Sequence, residues 1–522
     1  MNTNNTVFLF ILALSLGWMR TPVEAQRKAT EKPNVIIIFA DDMGYGDVSC
    51  LNPEARTYTP HIDNLVRKGI TFSNAHASAS VCTPSRYGLL TGRYAWRSES
   101  GAHVVSGFGE PVIEQDRETI ASLFQKEGYT TACIGKWHLG LDWQTKKSDE
   151  PAIYDANTGL SNVDYTQKVT SGPNDYGFDY SFIHPASLDM PPYMFLRNHQ
   201  AIDPDVILTS ALYPDRLDDT EYTWDKKHTG EHDVYWGKGV WWRRGEISRT
   251  FRVENCLTEI LEESISFIEK HSSDKPSVPF FMYMPLTGPH TPWMPTEQFK
   301  GKSSIATYGD FIMNIDHVVG QVTETLRRLG MDENTMIIFS SDNGAYWPQT
   351  EIELHNHDAN WGRRGQKGDA WDGGHRIPLI ISWPSHIKTP FVYDHMVSLT
   401  DLFATFADLT DQKLKDNSAE DSFSFLRVLN GNTSKATRRS MVHQSSGGMY
   451  SIRMDGWKFI DGLGSGGFTA PSTTEPVSNG PTGQLYQIKS DSLESENLFL
   501  QHPDVVKRLQ KELNQELEQG NR

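Results

Sequence analysis

Two pairs of polar residues follow runs of apolar sequence. Asp41 and Asp42 come after the run NVIIIFA, and Asp342 and Asn343 come after the run MIIFSS. If both runs form strands of one parallel sheet, the pairs lie beyond the carboxyl ends of the strands, where open α/β sheets bind ligands. Either pair alone is often just a turn, but together three carboxylates and one amide oxygen suit a hard cation, Ca²⁺ or Mg²⁺, and not a soft metal.

A cysteine opens a second distinctive stretch, CTPSRYGLLTGR, which runs from Cys82 to Arg93. Pro84 is typical of the first turn of a helix, so a helix is predicted to begin at this proline, with Cys82 just ahead of it. The free N–H groups and the positive dipole end of such a helix favour an oxyanion beside the cysteine. A lone cysteine before a helix is more often a buried structural residue, so the interpretation depends on the whole stretch.

The pattern Cys-x-Pro-Ser-Arg, followed by Leu-Thr-Gly-Arg, resembles the signature of the formylglycine-dependent (type I) sulfatases, arylsulfatase-like members of the alkaline-phosphatase superfamily. Further motifs of that family occur in the expected order, so the resemblance extends from Pro33 to about Pro378, with a family-like tail. They are DDMGYGD (41–47), GKWHLG (135–140), Pro289-His290, SDNG (341–344), GQKG (365–368) and WDGGHRIP (371–378). Agreement over so many ordered motifs is not expected by chance.

In that family the cysteine is oxidised during export to an aldehyde, formylglycine (3-oxoalanine). The resemblance therefore implies that Cys82 is the modified residue and that a formylglycine-generating enzyme acts on the chain during export. It implies a Ca²⁺ site formed by Asp41, Asp42, the modified Cys82, Asp342 and Asn343. It also implies a catalytic set of Cys82, Arg86, Lys136, His138, His290 and Lys367.

The roles of the catalytic set are linked to the chemistry of a hydrated aldehyde, which has two hydroxyl groups. One attacks sulfur, and the other then loses its proton, so that sulfate leaves as the aldehyde re-forms. Arg86 is expected to orient formylglycine, while the cations, Lys136 among them, stabilise charge on the sulfate oxygens. His290, with Lys367, is favoured as the proton donor to the departing alcohol, and His138 as the group that helps the intermediate collapse.

These residues predict an enzyme that hydrolyses sulfate monoesters, with a sulfated saccharide or small molecule as substrate. A phosphomonoester or phosphodiester hydrolase of the same superfamily is the alternative, but such phosphatases typically have a Ser or Thr nucleophile and two zinc ions. A non-catalytic binding protein with the same fold is a third interpretation. The complete set of site residues argues against it.

The loops around Lys367 are expected to line the mouth of the site. The segment 346–371 contains this lysine together with several Trp, His and Arg residues, and Asp189 lies in another loop that could face it. Aromatic rings and polar groups suit a sugar, although core packing accounts for most tryptophans. The predicted substrate-binding residues are His103, His184, Trp347, His357, Arg364 and His375.

The elements that must position these residues predict an α/β fold. Helical stripes alternate with short buried runs, which indicates a mostly parallel central sheet sandwiched by helices, of the alkaline-phosphatase type that the resemblance implies. The predicted catalytic domain covers 33–430 and contains a loop-rich insertion at 141–250. Short strand-like runs and a terminal helix over 503–517 predict a smaller C-terminal α+β unit at 431–522, with a short antiparallel sheet.

The formal net charge of the 522-residue chain is −17, which opposes binding of nucleic acid. Residues 1–25 resemble a signal peptide, because the apolar run VFLFILALSLGW is followed by Val23-Glu24-Ala25. No Lys or Arg precedes that run, so an uncleaved membrane anchor is the alternative. We expect export to the periplasm or the cell exterior, without stable insertion of any later segment in a membrane.

Overall fold

The computed structural model describes residues 32–99, 103–147, 150–213 and 243–518. The predicted signal peptide, 1–25, and residues 214–242 of the predicted insertion lie outside these ranges. Within the described ranges the chain forms strands β1–β20 and α-helices α1–α10.

The strands, in chain order, are β1 (Asn34–Ala40), β2 (Ile70–Phe72), β3 (Ala75–His76), β4 (Thr130–Lys136), β5 (Tyr154–Asp155), β6 (Leu160–Ser161), β7 (Tyr180–His184), β8 (Leu196–Arg197), β9 (Gln200–Ala201), β10 (Val206–Leu208), β11 (Glu246–Ser248), β12 (Phe280–Pro285), β13 (Thr335–Ser341), β14 (Leu379–Ser382), β15 (Phe391–Tyr393), β16 (Val397–Ser398), β17 (Ser440–Gln444), β18 (Tyr450–Met454), β19 (Trp457–Ile460) and β20 (Gln484–Gln487). The helices are α1 (Pro60–Lys68), α2 (Cys82–Thr91), α3 (Ile120–Lys126), α4 (Cys256–Asp274), α5 (Ala306–Arg328), α6 (Gln349–His355), α7 (Asp372–His375), α8 (Asp401–Leu409), α9 (Leu426–Leu429) and α10 (Pro503–Glu518).

Ten strands form the central sheet, in the order β15-β2-β14-β13-β1-β12-β4-β7-β8-β9. The pairs β15/β2, β13/β1, β1/β12, β12/β4 and β4/β7 are parallel. The pairs made by β14 and by β8 are antiparallel. The sheet is therefore mixed but mostly parallel, and the predicted fold class is confirmed.

β1 lies inside the sheet and is covered on both faces. Val35, Ile37 and Phe39 belong to the hydrophobic core on one face, whereas Ile36 and Ile38 belong to the core on the other. α2, α3 and α8 contribute to the first core, and α1, α4 and α5 to the second. Burial from both sides explains why the sequence of β1 is continuously apolar instead of alternating.

The C-terminal unit contains a four-stranded antiparallel sheet in the order β17-β18-β19-β20. Leu509 and Leu513 of α10 pack with Val442 and Ile452 of this sheet in a small separate core. The predicted short antiparallel sheet is confirmed, although its first strand, β17, is not visible in the sequence pattern.

Two local features differ from the sequence prediction. α2 begins at Cys82, with Val81 as its N-cap, and not at Pro84. A proline fits this first turn because the first four N–H groups of a helix have no partner within it. Part of the predicted insertion is also regular, since β7 pairs with β4 and β8 and β9 extend the central sheet. No helix in the described ranges is long and apolar enough to cross a membrane.

Candidate active site

The polar residues that follow β1 and β13 meet at one edge of the central sheet. The two strands are parallel neighbours, so the residues after them lie side by side. The Asp42 N–H donates to Asp342 Oδ1 at 3.0 Å, and Asn343 Nδ2 donates to Asp42 Oδ1 at 2.7 Å. All four polar residues, Asp41 included, are buried. The structure thus brings together the predicted metal ligands.

Arg86 of α2 contacts two of these carboxylates. Its Nη2 donates to Asp342 Oδ2 at 2.7 Å and to Asp41 Oδ1 at 3.2 Å, and its Nη1 donates to the main-chain oxygen of Lys136 at 3.2 Å. The guanidinium is fully buried. Burial by itself would lower its pKa, but the carboxylates outweigh burial and raise the pKa further above its ordinary value, so Arg86 stays charged.

Two lysines contact the same carboxylates. Lys136 ends β4, and its Nζ donates to Asp41 Oδ1 at 2.8 Å and Oδ2 at 2.7 Å. Lys367 Nζ donates to Asp42 Oδ2 at 2.7 Å. Burial alone would raise the pKa of Asp41, but Lys136 and the other nearby cations hold it below its usual range. Asp41 therefore remains ionised although it is buried.

Cys82 lies in the first turn of α2 against this cluster. Its Sγ is 3.7 Å from Asp41 Oδ1. The possible ligand atoms of Cys82, Asp41 and Asp342 lie within 4.8 Å of one another, as do those of Cys82, Asp42 and His290. Burial raises the pKa of the Cys82 thiol to about 12. An unmodified Cys82 is therefore a neutral thiol near pH 7, and the thiol form is a poor nucleophile.

Two histidines lie beside the cluster, each with one ring nitrogen fixed by the backbone. His290 Nδ1 donates to Thr291 O at 2.6 Å, which leaves Nε2 facing Asp42 Oδ2 at 3.7 Å. His138 Nε2 donates to Val105 O at 2.9 Å, and its buried Nδ1 has no hydrogen-bond partner in the described part of the chain. Burial, followed by nearby cations, lowers the pKa of His138 well below its usual value, which keeps the ring neutral.

The donor set fits a hard divalent cation. Asn343 Oδ1 is buried and has no hydrogen-bond partner among the described residues. Asn343 Nδ2 contacts the Asp42 carboxylate at 2.7 Å, so this amide adjoins the carboxylate cluster. Oxygen donors of this kind suit Ca²⁺ better than a soft metal.

The C-terminal unit holds the loop that carries Lys367. The Gly368 N–H donates to Ser80 O at 2.8 Å, and the Ser446 N–H donates to Gly368 O at 2.8 Å. The backbone of this loop is therefore fixed on one side by the segment before α2 and on the other by the C-terminal unit.

A family model described as Sulfatase matches residues 33–412 of the chain. The chain belongs to the sulfatase family. It is a sulfuric ester hydrolase, as the sequence motifs predict. An N-acetylgalactosamine-6-O-sulfatase of Bacteroides thetaiotaomicron is 32% identical over 517 residues, which cover 95% of this chain and 96% of that protein. Human steryl-sulfatase is 26% identical over 446 residues, which cover 82% of this chain and 75% of the human protein.

Solved structures are also similar to the sulfatase in fold. One from work on the metabolism of multiple glycosaminoglycans by Bacteroides thetaiotaomicron has a TM-score of 0.76 and 31% identity, and the match covers 94% of this chain and 100% of that one. A protein solved in complex with a neocarrahexaose has a TM-score of 0.64 and 23% identity, with 94% of both chains covered. The second likeness concerns the fold alone.

The sulfatase does not place most of the predicted substrate-binding residues where a ligand could touch them. Trp347 is buried, stacks on Tyr308 with ring centroids 4.5 Å apart, and donates from Nε1 to His357 O at 2.8 Å. His357 donates from Nε2 to Asp47 Oδ1 at 2.9 Å. Although both residues precede Lys367 closely in sequence, their side chains turn into the core, where these partners satisfy them.

His184 and Arg364 also have partners inside the protein. His184 is buried at the end of β7, with main-chain oxygens 3.1 and 3.2 Å from its ring nitrogens. The Arg364 guanidinium lies 3.8 Å from the centre of the Trp371 ring and donates to Glu494 O at 2.7 Å. The buried ring of His184 therefore has little left to offer a substrate. Arg364 is exposed in spite of these contacts, and His103 also lies in an exposed loop.

The last of these residues, His375, belongs to a buried cluster with His76 and His443. Lys458 Nζ donates to His375 Nε2 at 3.2 Å, so the proton of this ring is on Nδ1, which donates to His76 Nδ1 at 2.9 Å. His76 Nε2 donates to Asn74 Oδ1 at 3.0 Å. His443 stacks on His375 with ring centroids 3.7 Å apart. Burial lowers the pKa of all three histidines well below the usual value, so the cluster is neutral.

Two further polar residues approach the active site of the sulfatase from the loop after β7. Asp189 Oδ1 lies 3.9 Å from His290 Nδ1, and Oδ2 accepts a hydrogen bond from Arg243 at 2.7 Å. Ser187 Oγ lies 3.3 Å from Lys136 Nζ. The sequence offers only a loop position for Asp189 and no signal for Ser187, because neither belongs to a family motif.

Proposed function

We propose that this sulfatase hydrolyses sulfate monoesters of a saccharide, with formylglycine formed from Cys82 as nucleophile and a Ca²⁺ ion held by Asp41, Asp42, Asp342 and Asn343. The observation that carries the proposal is the convergence of these oxygen donors on Cys82 inside a group of buried cations. The hydrate of formylglycine supplies the hydroxyl that attacks sulfur, and Ca²⁺ supplies positive charge beside it.

The charges of the site suit an anionic ester. Three carboxylates are balanced by three cations, and the six residues are Asp41, Asp42, Asp342, Arg86, Lys136 and Lys367. A divalent cation bound to this neutral set leaves an excess of positive charge, which attracts a sulfate group. Because the cations are fixed and buried, they stabilise charge on the sulfate oxygens without rearrangement.

The hydrogen bonds of the two histidines support the proton transfers that we propose for them. His290 Nε2 faces the cluster while Nδ1 is held by a main-chain oxygen, so a proton carried on Nε2 can pass to the departing alcohol oxygen. Lys367, which contacts the same Asp42 carboxylate, adds positive charge at that point. Among the described residues, His138 Nδ1 has no hydrogen-bond partner, and its lone pair suits a group that accepts a proton when sulfate leaves.

A sulfated amino sugar is the substrate class that we favour. The 32% identity to an N-acetylgalactosamine-6-O-sulfatase over 95% of the chain supports this choice. A cavity of about 320 Å³ adjoins the site and is lined in part by Val105, Met190 and Arg243. Asp189, beside it, has a buried Oδ1 without a hydrogen-bond partner in the described ranges. We propose that this oxygen accepts a hydrogen bond from a sugar hydroxyl when the saccharide is bound.

The reaction class is tested by comparing an aryl sulfate with the corresponding aryl phosphate. We expect sulfate hydrolysis that requires Ca²⁺ and that disappears in Cys82→Ala. In protein produced with a formylglycine-generating enzyme, the peptide that contains residue 82 should be lighter by the change from thiol to aldehyde. A preference for the phosphate, or full activity with only unmodified cysteine, would contradict the proposal.

The sugar-binding role of Asp189 is tested with Asp189→Asn, which keeps the size of the side chain. We expect KM for a 6-sulfated N-acetylgalactosamine saccharide to rise about tenfold, because a charged acceptor is lost. The aryl sulfate, which lacks sugar hydroxyls, serves as the control and should change much less. An equal loss with both substrates would show that Asp189 acts only through His290.

Export belongs to the same proposal. The apolar run within residues 1–25 supports delivery to the periplasm or cell exterior, where sulfated polysaccharides are encountered. Fractionation of producing cells tests it, and retention of the whole protein in the cytoplasm would contradict it.

A further inference from the structure

A second and larger cavity lies between the central sheet and the C-terminal unit. Its volume is about 910 Å³. Its walls come from Ser73 and Asn74 after β2, from residues 394–396 after β15, and from the turn between β18 and β19. We call this cavity the basic cleft, because six cationic side chains and two acidic ones line it. They are Arg363, Arg376, Arg438, Arg439, Arg453, Lys489, Asp394 and Asp455.

Some of these charges are already paired, and the pairing leaves an excess of positive charge. Arg438 pairs with Asp401 at 3.2 Å, and Asp455 pairs with Arg508 at 2.9 Å. Arg453 pairs with Asp372, and Arg439 lies 4.0 Å from Glu512. Within the described ranges, Arg363, Arg376 and Lys489 make no ion pair with a carboxylate.

Arg376 is the most confined of these three cations. It is 9% exposed, and its guanidinium donates to Asn74 Oδ1 at 3.0 Å and to Ser73 O, which are both neutral acceptors. Its Nε is buried without a hydrogen-bond partner in the described part of the chain. Burial, and then the charges of Arg363 and Arg453, lower its pKa to about 9. An anion in the cleft would relieve this repulsion.

The basic cleft opens at the same edge of the central sheet as the active site. β2 and β15 are parallel to each other and, through β14, run in the same direction as β13 and β1. Three strand spacings separate β2 from β1, which is about 14 Å. β17 also connects the cleft with the active site. Arg439, which lines the cleft, directly precedes the first residue of β17. At the other end of this strand, Gln444 O accepts a hydrogen bond from the N–H of Ser80, two residues before Cys82.

We propose that the basic cleft binds a further sulfate or carboxylate group of the same saccharide chain whose ester is hydrolysed at Cys82. This inference rests on the proposed function, since it takes the substrate to be a sulfated saccharide. The planar forks of the arginines match the oxygens of such groups. The net charge of −17 repels polyanions at long range, so the cleft acts by local recognition on a chain that the active site also holds.

The test uses the full chain with Cys82→Ala, which binds substrate without turnover. Calorimetry compares a sulfated octasaccharide with a sulfated monosaccharide, with and without the double change Arg363→Glu and Lys489→Glu. We expect the octasaccharide Kd to rise about tenfold or more and the monosaccharide Kd to stay the same, because only the longer chain reaches the cleft. Unchanged octasaccharide binding, or an equal loss for both ligands, would overturn the inference.

A matched control reverses two charges elsewhere. Lys68 and Lys270 are exposed near the ends of α1 and α4, which lead into the opposite edge of the sheet. Lys68→Glu with Lys270→Glu makes the same change in net charge and should leave octasaccharide binding unaltered.

Polyphosphate is the second probe. Binding of polyphosphate with the same dependence on Arg363 and Lys489 would show a general anion site and overturn the assignment to a saccharide. Failure of the proposed function is distinguishable, because the enzyme without the Cys82 substitution would then hydrolyse no sulfate ester.

Discussion

Two buried clusters of this sulfatase look alike when only the closeness of possible metal ligands is considered. One surrounds Cys82, and the other consists of His76, His375 and His443, and in both the ligand atoms lie within 4.8 Å of one another. Around Cys82 the donors are mostly oxygens, and Asn343 Oδ1 is left without a partner within the described ranges. A cation bound at this cluster would give the Asn343 oxygen a partner.

In the histidine cluster the hydrogen bonds of His76 and His375 oppose a metal, although both ring nitrogens of the buried His443 have no hydrogen-bond partner within the described ranges. The His375 Nδ1 proton lies between this ring and His76, and Lys458 occupies the lone pair of Nε2. Arg376 and Arg453 lie close by as further cations. A metal ion would have to displace these hydrogen bonds and add charge to an already cationic surrounding. Proximity of ligand atoms therefore does not identify a metal site unless protons and charges are also counted.

The largest expected effect separates the two clusters directly. Asp342→Asn removes a carboxylate from the proposed calcium ligands and weakens the contact with Arg86. We therefore expect sulfatase activity to fall by about a hundredfold or more, and calcium binding to be lost. The matched variant is His443→Phe, which keeps the stacking on His375 and should retain both calcium and turnover. Metal analysis and aryl sulfate kinetics measure these outcomes. Loss of metal in His443→Phe but not in Asp342→Asn would reverse the assignment.

An intermediate effect concerns the stability supplied by the buried ion pairs of Lys458, which lies beside the histidine cluster. Lys458 pairs with Asp372 at 2.9 Å and with Glu494 at 2.8 Å, and all three are buried. Lys458→Met leaves these acids without their shared cation, so we expect the free energy of unfolding to fall by about 3 kcal/mol. Denaturant unfolding measures it, with Lys511→Met on the exposed side of α10 as control. An equal loss of stability in both variants would mean that the buried ion pairs contribute nothing to the free energy of unfolding.

The smallest expected effect is a dependence of stability on pH. The three histidines have pKa values lowered by burial, so below about pH 6.5 the unfolded chain binds protons that the folded protein excludes. Stability then falls as the pH decreases, by at most about 1.4 kcal/mol per pH unit for each histidine. In His443→Phe one of them is gone, and unfolding measured between pH 7 and pH 5 should show a shallower slope. Equal slopes for both proteins would mean that His443 is protonated in the folded state.

The fold class and the residues at the core of the site could be predicted from short stretches of sequence. The apolar runs of β1 and β13 predict buried strands of a mostly parallel sheet, and the residues after them, Asp41, Asp42, Asp342 and Asn343, do come together. These predictions succeed because a buried parallel strand and a motif at its carboxyl end are both short-range features.

Contacts between distant segments explain what the sequence could not show. The histidine cluster joins β3, α7 and β17. His76 of β3 is separated from His375 of α7 by 299 residues, and no periodic pattern connects the three elements. Trp347 and His357 were expected at the mouth of the site because they precede Lys367, yet their partners Tyr308 and Asp47 come from other elements. Closeness along the chain indicates a shared loop and does not fix the direction of a side chain.

The hydrogen bonds that hold Gly368 between Ser80 and Ser446 have a consequence for how such enzymes can diverge or be recombined. An exchange of C-terminal units between relatives would also exchange the surface against which the Lys367 loop is shaped. A functional chimaera would need residues 365–372 and the strand ends that touch them to be inherited together. The C-terminal unit therefore helps to fix the backbone of the reaction centre, although its own side chains supply none of the assigned catalytic groups.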